Sequence, residues 1–155
     1  PGQLTVSYFD QRIGPTVLIS ETDIFKSNRY FEENVSRLID LHQPGDFFSH
    51  YFNGNLTFNL VFQVYHPGVR GNRSDLMLTL FMSNVANGVM AQNIFLRMAF
   101  IEDRLRKYAK KMVQQNLLVN LLNATQDDNR EDIDELYVEA RNQLISRFQR
   151  IDLYN

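Results

Sequence analysis

The chain contains no cysteine. That excludes a disulfide framework, thiolate catalysis and a zinc site built on thiolates, and it fits a reducing compartment. No apolar run approaches the roughly 20 residues that cross a bilayer as a helix. The first residues also lack the basic-then-apolar pattern of a secretory signal. The expected location is therefore cytoplasmic, with peripheral membrane contact left as an option for the basic residues described below. Pro1-Gly2 reads as a processing remnant and takes no part in fold reasoning. The formal net charge over 155 residues is −2, which excludes a general polyanion binder and an acidic tail. Tryptophan is absent too, so aromatic packing falls to twelve Phe and seven Tyr. With 44% hydrophobic residues, a chain of this length can bury one sizeable core.

Catalytic signatures are also missing. No G-x-S-x-G elbow is present to present a nucleophilic serine. Gly68 to Arg73 (GVRGNR) has the glycines of a phosphate loop but not the G-K-[ST] ending, and a strand rather than a helix follows it. His42, His50 and His66 lack the i, i+4 or i, i+2 spacing of paired metal ligands. The sequence thus points to no enzyme activity, no cofactor and no metal. Four N-x-[ST] sequons, at Asn34, Asn55, Asn72 and Asn123, are read as chance products of an asparagine-rich chain.

What is present is a clear alternation of strand and helix patterns. Leu56, Phe58, Leu60, Phe62 and Val64 alternate with Thr57, Asn59, Val61, Gln63 and Tyr65, a period of two. His66 to Asp75 breaks the pattern with Pro67, Gly68 and Gly71, and Leu76 to Phe81 resumes it. Leu4 to Phe9 and Thr16 to Ser20 make an earlier pair around Gly14-Pro15, with Val17 and Ile19 on one side and Thr16 and Leu18 on the other. Neither side of Leu4–Phe9 is fully polar, which predicts a sheet covered on both faces. Asp46 to Tyr51 reads as a short strand before an Asn53-Gly54 turn. Phe31, Val35, Leu38, Ile39 and His42 predict an amphipathic helix that Pro44-Gly45 ends. Ile94, Met98, Ile101, Leu105, Tyr108 and Met112 predict a second, continued by Val119 and Leu122. Unbroken from 91 to 123 it would run about 50 Å, too long for a domain of this size. Ile133 to Ile151 predicts a last helix, with acidic residues from Asp127 to Glu135 at its start, where the helix dipole favours them.

The order hairpin, helix, hairpin or meander, then helices resembles the longin fold. Tyr8 to Leu18 (YFDQRIGPTVL) is similar to the strand, turn, Gly-Pro, strand opening of longin-like domains of archaea. Asn59 to Met82, with Arg70-Gly71-Asn72-Arg73 before Leu76-Met77-Leu78, is similar to their central hairpin. The resemblance covers residues 3–123 and leaves 124–155 as a helical extension, packed on the domain or on a partner. It implies an α+β fold: an antiparallel or mixed five-stranded sheet with one helix on one face and long helices on the other. It also implies a non-catalytic platform in membrane traffic or signalling. The partner it implies is a protein, a small GTPase above all, and homodimers occur in the family. A small-molecule sensory domain is the alternative.

Two groups of residues are candidates for partner contact. Arg70, Asn72 and Arg73 sit on the hairpin loop, and exposed loops carry function more often than cores do. Arg104, Arg106, Lys107, Lys110 and Lys111 form a basic run, in which Arg104, Lys107 and Lys111 share a helix face with Lys110 beside them. That face reads first as solvated. Its sharper readings are contact with an anionic membrane or with the acidic segment Asp127–Glu135. Nucleic acid is not expected, because no aromatic interleaving accompanies the basic run.

Overall fold

A computed structural model of the chain describes residues 3–10, 12–21, 34–52, 54–82, 88–114, 116–128 and 130–145. Among these residues are five strands, each where the sequence pattern predicts one: β1 (Gln3–Asp10), β2 (Gly14–Ser20), β3 (Phe47–Phe52), β4 (Asn55–Tyr65) and β5 (Arg73–Met82). They form one antiparallel sheet in the order β2-β1-β5-β4-β3. The last strand in sequence is therefore the central one, and it joins the two hairpins. Asn53 of the expected Asn-Gly turn lies outside the described residues. Gly54 beside it has φ of 77°, the left-handed conformation that a side chain disfavours.

Among the described residues β5 is followed by α1 (Gly88–Leu96), α2 (Met98–Val113), α3 (Leu117–Gln126) and α4 (Arg130–Ala140), with a π-helical segment Arg141–Ile145 after it. The stripe expected to run from 91 to 123 is thus broken twice. The first break is at Arg97, which leaves helical geometry at φ −98°, ψ 9°. The second falls in the polar gap between Val113 and Leu117. Breaking the rod lets Ile94, Ile101, Leu105, Met112, Leu118 and Leu122 all reach one core, where an unbroken helix would carry its end past the sheet. They pack on Leu4, Val6, Phe58, Leu60, Leu76, Leu78 and Leu80. Tyr137 and Ala140 of α4 join the same cluster, so the start of the C-terminal extension packs on the domain. Its stretch beyond residue 145 lies outside the described residues. Among those residues no helix is long and apolar enough to cross a membrane.

The opposite face carries a smaller cluster of Val17, Val35, Ile39, Val61 and Met77 under a 3₁₀ helix, Ser36–Leu41. This element stands where the sequence predicts an amphipathic α-helix; residues 31–33 of that prediction lie outside the described residues. Val17 and Ile19 were expected on one side of β2, but they part. Val6 pairs with Ile19 and Ser7 with Val17, so a bulge at Leu18 turns Ile19 to the large core and Val17 to the small one.

The small face is also polar. Thr79 donates to Asn59 Oδ1 at 2.8 Å, and Asn59 Nδ2 donates to Thr57 Oγ1 at 2.9 Å and to the Phe48 carbonyl at 3.5 Å. Asn59 and Thr79 have no exposed surface, so these bonds fix side chains that would otherwise be costly to bury. Thr5 lies opposite Thr79 in the register, equally buried, and its hydroxyl has no hydrogen-bond partner among the described residues. The two threonines predict opposite outcomes on replacement by the near-isosteric valine. Thr5→Val removes an unsatisfied hydroxyl and stabilises by about 1 kcal/mol, whereas Thr79→Val orphans Asn59 and costs about 1–3 kcal/mol. Thermal or urea unfolding of both variants checks this; equal effects at the two positions would show that the polar row is not bonded as described.

A candidate docking notch between parting strands

The β1–β5 ladder runs from Gln3↔Phe81 to Tyr8↔Leu76 and stops there. Neither strand ends at that point. Strand β1 continues with β2 to Asp10↔Gly14, and β5 reaches back with β4 to Tyr65↔Arg73. The centre of the sheet therefore parts into two lips, with a cleft of about 770 Å³ between them. Tyr8 and Phe9 line one lip, Arg73, Ser74 and Asp75 the other. Leu122 and Gln126 of α3 close the back, and the turn Val69–Gly71 stands over the mouth.

Hydrogen-bond alternation shows what the lips offer. Leu4 makes its backbone bonds on the β2 side: its carbonyl accepts from Glu21 N–H at 2.9 Å, and its N–H donates to the Glu21 carboxylate at 3.0 Å. Odd-numbered residues of β1 therefore face β5. On the other lip, the His66 N–H donates to the Asn72 carbonyl at 2.8 Å, which sets even-numbered residues of this hairpin toward each other and odd-numbered ones outward. Tyr8↔Leu76 is thus a non-hydrogen-bonded pair, closed by the Phe9 N–H on the Asp75 carbonyl, and the Phe9 carbonyl and the Asp75 N–H point into the cleft past this last bond of the ladder. Unladdered strand edges of this kind hydrogen-bond readily to another chain.

Both lips are pinned to α3. On the β1 side the Asp10 carboxylate organises the turn, accepting from Arg12 N–H at 2.7 Å, Ile13 N–H at 3.2 Å and the Tyr8 hydroxyl at 3.1 Å. Arg12 then reaches across to the Thr125 carbonyl at 3.3 Å. On the β5 side His66 is completely buried. Its Nδ1 meets Ser74 Oγ at 2.7 Å and its Nε2 meets Asn123 Oδ1 at 2.6 Å. The Asn123 oxygen places the ring proton on Nε2, so Nδ1 accepts from Ser74.

Ser74–His66–Asn123 has the connectivity of nucleophile, base and orienting amide. Complete burial of His66 argues against that use, since a general base must also hand its proton to a leaving group. The three residues act as a clamp between the hairpin and α3. Nothing in the sequence pairs positions 57 residues apart, so this role of His66 was not legible there. Among the described residues no group of three or more His, Asp or Glu side chains gathers as a metal site.

The structure places the candidate partner residues in two separate regions. Arg70 and Arg73 both line the notch, are exposed, and make no ion pair among the described residues. Asn72 shapes the loop instead. At φ 54° it turns the chain, and its side chain accepts from Gly68 N–H at 3.4 Å. Arg104, Lys107 and Lys111 lie on α2, away from this lining. Lys107 is held by Asp103 at 3.0 Å, and Arg104 is half-buried. Phe9, Ile13 and Tyr65 are exposed on the strands and turn beside the notch, at 44%, 74% and 63%. The sequence pattern did not single them out as site residues.

No protein-family model and no curated protein matches the chain. The site must therefore be judged on its own chemistry. It offers strand-edge amides and carbonyls, two arginine forks and a rim of exposed apolar and aromatic side chains.

Burial pushes the Asp10 carboxyl up. The N–H groups of Arg12 and Ile13, the Tyr8 hydroxyl and the Arg12 charge outweigh it, and the net shift is below the usual 3.8. A carboxyl whose folded pKa is depressed contributes stability that is full above its unfolded pKa and is lost as pH falls through the folded one. The wild-type chain should therefore lose stability as pH drops below 3.8, and Asp10→Asn should lose less over that window. Urea midpoints measured across this pH range report the difference; parallel curves would show that Asp10 does not hold the turn.

Proposed function

We propose that this chain is a non-catalytic interaction domain and that its protein partner docks at the notch, with a small GTPase as the first class to test. The observation that carries the reading is the composition and form of that surface. The parting strand edges line a cleft together with exposed Phe9, Arg70 and Arg73, and Ile13 and Tyr65 are exposed on the neighbouring turn and strand. Aromatic residues and arginine dominate the energetic centres of protein interfaces, and free strand edges supply main-chain bonds to a partner. The longin-like element order supports the same class by analogy of fold alone. A peripheral role on an anionic membrane would draw on Arg104, Lys107 and Lys111. The Asp103 pairing of Lys107 and the partial burial of Arg104 reduce the charge they present.

A sensory role for a small molecule has one observation in its favour: about 770 Å³ lies within the range of small-ligand pockets. A thermal-shift screen with metabolites separates the two readings, since a ligand specific to the folded state raises the midpoint.

Capture from the source organism's lysate, in GDP and in a non-hydrolysable GTP analogue, tests the main proposal. A GTPase should be enriched in one nucleotide state. The double variant Arg70→Ala, Arg73→Ala should reduce its retention roughly tenfold or more, while changing stability by no more than about 0.5 kcal/mol, as expected of exposed positions. Retention unaffected by the double variant would remove the notch as the docking surface.

A further inference from the structure

We propose a second recognition site: the edge of β4 beyond β3 accepts an extended acidic segment of a partner protein as an added strand. It lies on a different edge of the sheet from the parting of β1 and β5 and does not rest on the reading of the notch.

The ladder supplies the first observation. Strand β3 pairs with β4 from Phe52↔Asn55 to Phe47↔Leu60, but β4 continues to Tyr65. One more rung follows: the Val61 carbonyl accepts from Gly45 N–H at 2.7 Å, and the Val61 N–H donates to the Asp46 carbonyl at 3.0 Å. Pro44 and Gly45 then carry the chain into a turn. Because Val61 presents both backbone groups to this side, the two-residue alternation presents those of Gln63 and Tyr65 to it as well. On their other side both residues sit opposite β5, at Asp75 and Arg73. Among the described residues no strand pairs with this outer stretch. The exposed edge is short, enough for main-chain registration but not for a long ladder.

A groove alongside supplies the second observation. About 440 Å³ of space lies between this part of β4 and α2, with Leu60, Phe62, Ala109 and Val113 giving apolar lining. The charged residues lining it are both cations, Arg106 and Lys110. Arg106 is held in place, donating to the Gly45 carbonyl at 2.9 Å and to Glu102 at 2.8 Å. Lys110 is exposed and makes no ion pair among the described residues. An added strand turns every second side chain toward α2. A carboxylate at one of those positions meets Lys110, while Arg106 shares its charge with Glu102, and apolar residues beside it meet Val113 and Ala109. The charge of the groove thus selects an acidic occupant, and the open amides select an extended one. Arg106 and Lys110 lie four residues apart on one side of α2, while Arg104, Lys107 and Lys111 lie on another. Among the described residues the unpaired charge of this side is that of Lys110; Arg106 shares its charge with Glu102.

The test uses the whole chain and three short fluorescein-labelled peptides: valine alternating with glutamate, valine alternating with lysine, and the glutamate peptide N-methylated at alternate backbone positions. Anisotropy should show saturable binding of the glutamate peptide. Loss of roughly tenfold or more should accompany N-methylation, and likewise Lys110→Glu. The lysine peptide should not bind to the wild-type chain. In parallel, the backbone amide signals of Gln63 and Tyr65 should shift and exchange more slowly on addition of the glutamate peptide. Four outcomes would overturn the proposal: no saturable binding of the glutamate peptide, equal binding of all three peptides, binding that leaves the Gln63 and Tyr65 amides unchanged, or a dimer in solution with those amides already protected. The last would assign the edge to a second copy of the chain.

Discussion

Helix α3 is tied to both lips of the parted sheet, and the form of the notch depends on that. Arg12 ties the β1–β2 turn to the Thr125 carbonyl near the end of α3. His66 ties the β4–β5 hairpin to Asn123, just before it on the same helix. Between these two attachments Leu122 and Gln126 occupy the space behind the parted strands. The ladder could otherwise complete one more rung, because the Phe9 N–H already bonds the Asp75 carbonyl and the Asp75 N–H and Phe9 carbonyl are in register for the second bond. Fixing both hairpins to one helix exchanges that rung for a cleft. The buried polar groups at the attachments are bonded, which lets them impose this geometry without the penalty of orphaned donors and acceptors.

Strand β5 makes the parting tolerable. It is paired with β4 along its whole length and with β1 over most of it, and Leu76, Met77 and Leu78 have no exposed surface. Helices pack on one face and the 3₁₀ helix on the other. The notch therefore opens at the end of a well-anchored sheet. A site on such a scaffold keeps its geometry when a partner arrives, so little ordering cost falls on binding.

Much of this fold was legible in the sequence because strands and helices leave periodic marks. The five strands lie where the sequence predicts them, with the clearest alternation in β1 and β4, and the core of α2 lies on the predicted stripe of Ile101, Leu105 and Met112. The misses share a cause. The bulge at Leu18, the 3₁₀ geometry at Ser36–Leu41 and the positions of the breaks around α2 are set by tertiary packing, to which period is blind. The same holds at the sites. Arg70 and Arg73 could be picked out because Pro67, Gly68 and Gly71 announce an exposed loop. Parted strands cannot be read from either strand alone, since each continues its own pattern through the point of divergence. Nor could the charges of α2 reveal that Arg106 and Lys110 would face the sheet edge while Lys107 turned to Asp103.

Residue-resolved amide hydrogen exchange on the free chain tests the parting of β1 and β5 most directly. Ser7 and Met77 occupy a bonded rung inside the ladder; past Tyr8↔Leu76 the Phe9 N–H still bonds the Asp75 carbonyl, and the Asp75 N–H is the first amide left over. Ser7, Met77 and Phe9 should be protected close to the limit of global unfolding, while Asp75 should exchange orders of magnitude faster. Equal protection at all four amides would mean that the strands remain paired to their ends, leaving no notch for a partner to enter.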